Sequence, residues 1–194
     1  MTKLCDFSQA LLFTGHMIDA AGRKEERFPP RAEARARAAI YDVVFGLRRD
    51  STVGIAAGAS GGDLLFHEVC AELGISTRLY LALPVTGFIA KSVAPGGADW
   101  VRRFEALVER LGPANIRVMG DGDGFVEGPT ENVWQRVNFW MVEEAVALAP
   151  ERTLIALWDG KGGDGPGGTE HFVKAAPEHG IRVAPVIAMQ GLLE

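Results

Sequence analysis

The sequence predicts an α/β fold with a mostly parallel, doubly wound sheet of five to seven strands and helices on both faces. Short apolar runs typical of buried strands alternate along the chain with longer segments that carry the apolar stripe of a helix. Strands separated by helices of this length form βαβ units with right-handed crossovers. With 194 residues and 47% hydrophobic content, the chain is expected to form one domain over residues 1–194.

The first half of the chain supplies three strands and two helices. Residues 11–14, 52–57 and 77–83 are short runs rich in apolar side chains, and we expect each of them to form a strand. Residues 31–47 follow a long loop and are rich in alanine and arginine, which favour a helix. Residues 63–73 place an apolar side chain at every fourth position, which also predicts a helix.

The second half continues this alternation. Its predicted helices have apolar side chains on one face, and its predicted strands are short apolar runs. In chain order we expect a helix at 99–111, a strand at 116–119, a helix at 131–148, a strand at 154–158, a helix at 170–178 and a strand at 182–188. Pro177 is expected to shorten the helix that contains it. The segments 87–98 and 121–130 are predicted to be irregular and could be lids over a site.

Composition excludes several classes of protein. A formal charge of −5 argues against binding to nucleic acid, which needs a basic surface. No apolar run approaches the ~20 residues that span a membrane, and the N-terminus lacks the apolar core of a secretion signal, so we expect a cytoplasmic protein. Cys5 and Cys70 are too few for a disulfide framework, and the four histidines lack metal-ligand spacing. We therefore expect no metal and no cofactor.

Two glycine-rich loops are the most informative feature of the chain. Each follows an apolar run typical of a strand and precedes a segment with helical periodicity. Glycine lets the main chain approach a ligand closely, and the N–H groups at a helix start attract phosphate or carboxylate. The alternative is that each loop is only a surface connection. The candidate ligand-binding residues in the two loops are Gly58, Ser60, Gly61, Gly62, Asp63, Asp159, Gly165, Gly167, Gly168 and Thr169.

The loop after the first predicted strand also carries polar side chains. Thr14, Gly15 and His16 follow the end of this strand, and Asp19 and Arg23 come soon after them. Because the carboxyl ends of parallel strands meet at one edge of a sheet, these residues should lie on the same edge as the glycine loops. His16 is the best candidate for a general acid or base, since an imidazole titrates near neutral pH. The alternative is a solvated connection.

Residues 58–62 also satisfy the G-x-S-x-G motif of serine hydrolases. Asp159 and His171 follow Ser60 in the chain order of an α/β-hydrolase triad. Only two predicted strands precede the serine, however, and the chain lacks the His-Gly-Gly run that often supplies an oxyanion hole. A serine hydrolase is therefore the third of three functional hypotheses.

These motifs together resemble a known family. The residues that carry the resemblance are Thr14-Gly15-His16, the 58–63 loop, the strand that closes at Pro84, and the run from Pro166 to Thr169. They are similar to the LONELY GUY, or lysine decarboxylase-like, nucleotide phosphoribohydrolases and, more broadly, to the SLOG superfamily of Rossmann-like domains. The resemblance covers nearly the whole chain. It also extends to a SLOG-like module of bacterial signalling proteins.

The resemblance implies a Rossmann-like fold that binds a nucleotide or nucleotide-derived ligand across the strand ends. Its phosphate would lie against the two glycine loops, with an anion at the N–H groups of residues 167–169, and its sugar would lie near the first loop. The catalytic pattern of the enzymes is altered in this chain. Their glutamate lies three residues beyond the threonine, whereas here Glu170 directly follows Thr169, and Val173 is not acidic. Of the arginine–lysine pair expected near 136–138, only Arg136 is basic.

Two further hypotheses therefore stay open beside the serine hydrolase. The favoured one is a signalling module that binds a nucleotide-derived molecule without turnover. The other is an enzyme that hydrolyses or transfers at an N-glycosidic bond, which needs an acid/base group and a stabilising carboxylate. The candidate catalytic residues are Glu170, His16, Glu68 and Arg136, with Asp159 as a further carboxylate. The apolar face at 134–141 could pack against a second copy, so a homodimer is also open.

Overall fold

One sheet of seven strands organises the chain in the computed structural model, which describes residues 6–119, 132–162 and 167–193. All pairs of strands in this sheet are parallel. The strands are β1 (Gln9–Gly15), β2 (Thr52–Ala56), β3 (Ser76–Leu81), β4 (Ile116–Val118), β5 (Glu151–Trp158), β6 (Arg182–Val183) and β7 (Ile187–Ala188). The predicted α/β fold with a mostly parallel sheet is confirmed.

The order of the strands reverses at the centre of the sheet. The order is β4-β3-β2-β1-β5-β6, with β7 also pairing with β5. The chain therefore starts in the middle, runs outward from β1 to β4, and then returns to the other side of β1 as β5. The pairing of β1 with β5 is the longest in the sheet and extends from Gln9 beside Glu151 to Gly15 beside Leu157.

Helices cover both faces of the sheet, as predicted. They are α1 (Glu33–Leu47), α2 (Gly62–Glu72), α3 (Val85–Phe88), α4 (Ala98–Leu111), α5 (Val133–Leu148), α6 (Thr169–Ala175) and α7 (Gln190–Leu193). Buried side chains of α1, α2 and α4 pack on one face, and those of α5 and α6 pack on the other. The helices that follow β1, β2 and β3 thus lie opposite those that follow β4 and β5, which makes the sheet doubly wound.

The core follows from the alternation of side chains along β1. Leu11 and Phe13 belong to the apolar cluster on the α1 and α2 face, whereas Ala10 and Leu12 belong to the cluster on the α5 and α6 face. All four side chains are at most 1% exposed. A strand buried on both faces reads as a short continuous apolar run, which is the pattern that residues 11–14 show in the sequence.

Two sequence predictions about local structure are wrong. The predicted strand at 182–188 is divided into β6 and β7, because Pro185 has no N–H group to donate to the neighbouring strand. The segment at 87–98 is not irregular: α3 continues into a π-helical turn (Ile89–Val93) and a 3₁₀ turn (Ala94–Gly96). The expected effect of Pro177 is confirmed, since α6 ends before it and a 3₁₀ turn follows.

The remaining predicted surfaces are placed as follows. Within the proposed dimer face at 134–141, Val137 and Met141 are buried against the chain's own sheet, so part of that face already has a partner. Trp140 packs edge-to-face on Tyr80, with their ring centroids 5.1 Å apart. The homodimer stays a prediction.

The segment 121–130 lies outside the described residues. No helix in the described part of the chain has the length and apolar character that a membrane crossing requires.

Candidate functional site

A cavity of about 530 Å³ opens at the carboxyl ends of β1 and β5, where the order of the strands reverses. In an open parallel sheet this reversal leaves a crevice. The chain that follows β1 continues to one face of the sheet, and the chain that follows β5 continues to the other. The walls come from the loops after β1, β2 and β5, from the α3 segment and from the first turns of α5. The cavity is therefore in the position where such sheets bind ligands.

Many of the residues predicted from the sequence meet in this cavity. Those that line it are Thr14, Gly15, His16, Asp19, Arg23, Asp63, Gly167, Gly168, Thr169 and Glu170. The other described candidates do not line it; they are Gly58, Ser60, Gly61, Gly62, Glu68, Arg136 and Asp159. Gly165 lies outside the described residues.

A buried ionic network forms one side of the cavity. The guanidinium of Arg27 donates two hydrogen bonds to the Asp159 carboxylate, from Nε to Oδ2 at 3.0 Å and from a terminal nitrogen to Oδ1 at 3.2 Å. Their side chains are only 13% and 9% exposed. Asp159 Oδ1 also lies 3.1 Å from Nε2 of His16. Asp159 thus joins the loop after β5 to the loop after β1. Arg27 and His16 line the cavity, and Asp159 lies behind them.

The contacts of His16 depend on its protonation state. The backbone N–H of Asp159 lies 3.1 Å from Nε2 and donates to it when Nε2 carries no proton. A protonated Nε2 would instead donate to the Asp159 carboxylate, at the same distance. His16 can therefore hold or release a proton at the cavity wall without losing its contact with Asp159.

Asp159 itself stays ionised. Burial acts to raise the pKa of its carboxyl, but hydrogen bonds from Arg27 and from the Lys161 N–H, together with nearby His16, lower this pKa well below its usual range. The carboxylate is therefore a fixed negative charge that neutralises Arg27 and orients His16. This is the role of a positioning group rather than of a proton donor.

Asp19 shapes the loop that carries Arg27. Its Oδ2 accepts hydrogen bonds from the backbone N–H groups of Arg27 at 2.9 Å and Phe28 at 3.0 Å. Its own N–H donates to the carbonyl of Phe28 at 2.8 Å. Its other oxygen, Oδ1, lies 3.5 Å from Nε of Arg23. Asp19 therefore lines the cavity, but one of its carboxylate oxygens is already used to close the loop.

Asp63 is a buried carboxyl at the start of α2 and lines the cavity. One of its oxygens accepts the N–H of Ala59 at 3.2 Å. Burial raises the pKa of Asp63 to about 7, while hydrogen bonds from the N–H groups of Ala59 and Gly15 act in the opposite direction. Near neutral pH this carboxyl can both donate and accept a proton, which makes it the cavity group best matched to acid/base chemistry.

The first glycine loop lies beneath the cavity wall, where the chain itself covers it. The N–H of Ile18 donates to the carbonyl of Ser60 at 2.9 Å, and the N–H of Gly62 donates to the carbonyl of His16 at 3.0 Å. A Cβ on Gly61 would lie 2.5 Å from the backbone nitrogen of Ile18. The close approach that glycine permits here is to the loop after β1, which takes the place that a phosphate would need.

Ser60 should therefore tolerate loss of its hydroxyl. The side chain is fully buried, and its Oγ has no hydrogen-bond partner in the described part of the chain. Removing an unsatisfied buried hydroxyl relieves a desolvation penalty. We expect Ser60→Ala to leave the free energy of unfolding unchanged or to raise it by up to about 1 kcal/mol, as measured by urea denaturation. A loss of stability would show that the hydroxyl is bonded, and labelling of Ser60 by a fluorophosphonate would revive the hydrolase hypothesis.

The second glycine loop remains at the cavity and is fixed to α5. The side-chain amide of Asn138 donates to the carbonyl of Gly167 at 2.7 Å. Gly167 has a φ of +91°, and a Cβ there would lie 2.7 Å from the Cβ of Trp134. Thr14 and Thr169, from β1 and α6, place their hydroxyl oxygens 3.3 Å apart. The hydroxyl groups of Thr14 and Thr169 and the backbone of Gly167 therefore lie together between the ends of β1 and β5.

The predicted catalytic residues do not form one constellation. Glu170 lines the cavity, but its carboxylate accepts a hydrogen bond from Nζ of Lys174 at 2.6 Å. Glu68 is bound by the guanidinium of Arg103 through two hydrogen bonds of 2.7 Å, away from the cavity. Arg136 forms an ion pair with Glu143 along α5. The pair of carboxylates with Arg136 that the phosphoribohydrolase resemblance implies is not assembled among the described residues.

The serine hydrolase triad is not assembled either. The imidazole of His171 packs edge-to-face against Phe139, with 5.4 Å between ring centroids. Asp159 is hydrogen-bonded to Arg27 rather than to His171. Among the described residues, therefore, no histidine is hydrogen-bonded to Oγ of Ser60.

Several cavity residues were missed by sequence reasoning. Trp134 and Asn138 come from α5, a helix that precedes a strand, so the rule that sites follow strand ends does not find them. Lys91 comes from the helical segment after β3, which was treated as a lid. Arg27 had a usable signal, since it lies four residues beyond Arg23 in the same polar loop.

Comparisons with known proteins add no assignment. No protein-family model matches this chain, and no curated protein matches its sequence. Among the described residues, no group of three or more histidine, cysteine, aspartate or glutamate side chains is arranged to hold a metal ion. What the site can bind must therefore be inferred from its position, its shape and its own side chains.

Proposed function

We propose that this protein binds a nucleotide or nucleotide-derived small molecule in the cavity at the ends of β1 and β5. The observation that carries the proposal is that a cavity lined by polar and aromatic side chains lies at the reversal of strand order. Ligands of parallel α/β sheets bind at such a reversal. The cavity of about 530 Å³ also lies within the size range of small-molecule and cofactor sites.

The two kinds of surface in the cavity suit the two parts of a nucleotide. Trp134, Met17 and Trp158 line the cavity and are partly exposed, so they offer apolar and aromatic surface against which a planar base can pack. Thr14, Thr169 and neighbouring polar groups offer hydroxyl and charged contacts for a sugar and a phosphate. A mostly apolar wall with a few polar groups is the usual composition of a site that orients a small ligand.

A SLOG-like signalling module of the cytoplasm is the corresponding biological proposal. It is supported by the doubly wound sheet and by the cavity residues Thr14, His16 and Thr169, which belong to the motifs that carry the resemblance. Binding without turnover is favoured over catalysis because Glu68 and Arg136 are paired elsewhere and do not reach the cavity. Asp159 and Asp19 serve the architecture of the site.

Thermal denaturation in the presence of nucleotides tests the proposal. The panel contains the mono-, di- and triphosphates of the common nucleosides, their cyclic nucleotides and the common dinucleotides. A ligand at about 100 times its Kd stabilises the folded state by about 2.7 kcal/mol, since it binds only that state. For a chain of this size we expect the midpoint to rise by about 5 to 10 °C. If no member of the panel raises it, the nucleotide assignment is wrong.

Hydrolysis of an N-glycosidic bond is the second candidate function. One observation favours it: the buried carboxyl of Asp63 has a pKa of about 7 and lines the same cavity as His16. A carboxyl of this kind can protonate a leaving base. Each nucleotide that stabilises the protein should be incubated with it and analysed for free base by chromatography.

Replacement of Asp63 separates binding from turnover. If the protein is a hydrolase, Asp63→Asn should slow release of the base by at least about 100-fold, because general acid–base catalysis contributes that much, while the nucleotide still stabilises the fold. If no base is released by the wild-type protein, binding alone is the function. Equal rates for the two proteins would remove Asp63 from the mechanism.

A further inference from the structure

The π-helical turn Ile89–Val93 forms part of the cavity wall. Phe88, Lys91, Ser92 and Pro95 all line the cavity and come from this turn or its flanking residues. A π-helical turn is energetically poorer than an α-helical one, and such turns occur frequently at functional sites. The turn places the Lys91 side chain at the cavity, although the sequence there looks like an ordinary connection.

The segment that carries Lys91 is held firmly on three sides. The carbonyl of Ser92 accepts the N–H of Ser60 at 2.8 Å, which fixes the turn to the loop after β2. The ring of Phe88 stacks on Phe104 of α4 with 5.7 Å between centroids, and it lies 6.1 Å from the ring of Trp134. The backbone of the turn is therefore an anchored part of the wall, from which an exposed lysine side chain extends.

The other cations of the cavity already have internal carboxylates. Arg27 is held by two hydrogen bonds from its guanidinium to Asp159. Arg23 lies 3.5 Å from the Asp19 carboxylate and also donates to a backbone carbonyl. No carboxylate of residues 6–119, 132–162 or 167–193 forms an ion pair with Lys91. Lys91 is thus the cavity cation whose charge is not used within the described structure.

Among the described residues that line the cavity, little negative charge is left without a cationic partner. Glu170 is paired with Lys174, and Asp19 lies beside Arg23. Burial holds the Asp63 carboxyl partly protonated near neutral pH. Of the groups in residues 6–119, 132–162 and 167–193, an anion that enters the cavity therefore meets the ammonium group of Lys91 and little uncompensated negative charge.

One of the two loops that the sequence suggested for a phosphate is covered by the chain itself, whereas residues 167–169 of the other loop remain at the cavity. The loop at 58–62 is covered by residues after β1, and the N–H of Gly62 donates to the chain's own carbonyl at His16. An anion in the cavity must therefore be held by groups outside the 58–62 loop. Lys91 lies on the wall next to that loop, because Ser92 and Ser60 are hydrogen-bonded to each other.

We infer that Lys91 is the residue that binds the anionic group of the ligand, and that this group is a phosphate or pyrophosphate. The inference rests on the proposed function, because it assigns the cation that would hold the phosphate of a nucleotide in the same cavity. An ammonium group with three donors on a flexible stem is well suited to a phosphate at the rim of a site.

Titration with inorganic pyrophosphate tests this inference without a base or sugar. Binding to the wild-type protein, Lys91→Met and Lys91→Arg is measured by calorimetry at low ionic strength. Lys91→Met should weaken binding about tenfold, since it removes a charge-assisted hydrogen bond, and Lys91→Arg should retain most of the affinity. Lys24→Met is the matched control: Lys24 is exposed and outside the cavity lining, so its loss should leave the affinity unchanged.

Three results would overturn the inference. The first is that pyrophosphate does not bind to the wild-type protein. The second is that the wild-type protein and Lys91→Met bind it with equal affinity. The third is that Lys24→Met loses as much affinity as Lys91→Met, which would indicate attraction by net charge alone. The proposed function fails separately. Pyrophosphate can bind at Lys91 although no nucleotide stabilises the fold, and a nucleotide can bind although Lys91→Met has no effect on pyrophosphate.

Discussion

Gly61→Ala is expected to lower the free energy of unfolding by about 4 kcal/mol. Gly61 has a φ of +107° and a ψ of −128°, a conformation that is strained for any residue with a Cβ. The added Cβ would lie 2.5 Å from the nitrogen of Ile18 and 2.7 Å from the carbonyl oxygen of His16. Both atoms belong to the backbone and cannot rotate away.

The loss should extend to the site. The loop after β1 would have to move away from the start of α2, which would break the hydrogen bond from Gly62 to the carbonyl of His16. The cavity side chains Thr14, His16 and Asp19 lie on or beside that loop. We therefore expect Gly61→Ala to lose nucleotide-induced stabilisation as well, at a temperature where the variant is still folded.

Gly22→Ala is the matched control for Gly61→Ala. Gly22 also has a positive φ, +81°, but a Cβ there would meet no atom within 4 Å. Gly22→Ala should lower the free energy of unfolding by the backbone strain alone, about 1 kcal/mol, as measured by urea denaturation. Equal losses in the two variants would show that the contact between Gly61 and the loop after β1 is unimportant.

Asp159→Ala is expected to lower the free energy of unfolding by about 3 kcal/mol. It removes both hydrogen bonds that the Asp159 carboxylate accepts from Arg27, whose side chain is only 13% exposed. It also removes the carboxylate that lies 3.1 Å from Nε2 of His16. Urea denaturation measures the loss. Glu26→Ala is the control, since it breaks an exposed ion pair with Arg31 and should change the free energy of unfolding much less.

The same carboxylate predicts a specific pH dependence. The pKa of Asp159 is lower in the folded protein than in the unfolded chain, so the folded state binds fewer protons at this position. Its stabilising contribution is therefore present above the unfolded pKa of about 4 and is lost as the pH falls below that value. Asp159→Asn should be less sensitive to acid than the wild-type protein between about pH 4 and pH 2. Parallel stability curves for the two proteins would contradict the pairing with Arg27.

The fold was predictable because its strands are buried on both sides. Residues 11–14, 52–57 and 154–158 form apolar runs that cannot lie on a surface, and the helices between them have clear stripes. The pairing of β1 with β5 was not predictable, since it joins segments more than 130 residues apart and no local pattern records it. The division of the last strand at Pro185 could have been predicted, because proline cannot donate to a neighbouring strand.

The site was predictable only in part. The rule that ligands lie at the carboxyl ends of parallel strands correctly grouped Thr14, His16 and Thr169. Glycine content could not show what each glycine approaches: Gly61 lies against the loop after β1, whereas Gly167 lies against Trp134. Gly168 has an ordinary φ of −73°, so the glycine that this loop requires by its conformation is its neighbour Gly167.

Side chains that arrive from helices were the hardest to predict. Lys91 reaches the cavity through a π-helical turn, and Asn138 reaches it from the second turn of α5. In the sequence both look like ordinary polar residues of a helix or a connection. The position of Lys91 and Asn138 at the cavity follows only from the packing of these helical segments over the ends of β1 and β5.

Mapping of backbone amides by nuclear magnetic resonance tests the central claim most directly. The ¹⁵N-labelled protein is titrated with each nucleotide of the panel. If the ligand binds at the reversal between β1 and β5, the shifted amides should include Thr14, His16, Lys91 and Thr169, while Arg49 and Gly74 at the opposite edge of the sheet should not change. Shifts confined to the opposite edge, or no shifts with any nucleotide, would contradict the proposed site.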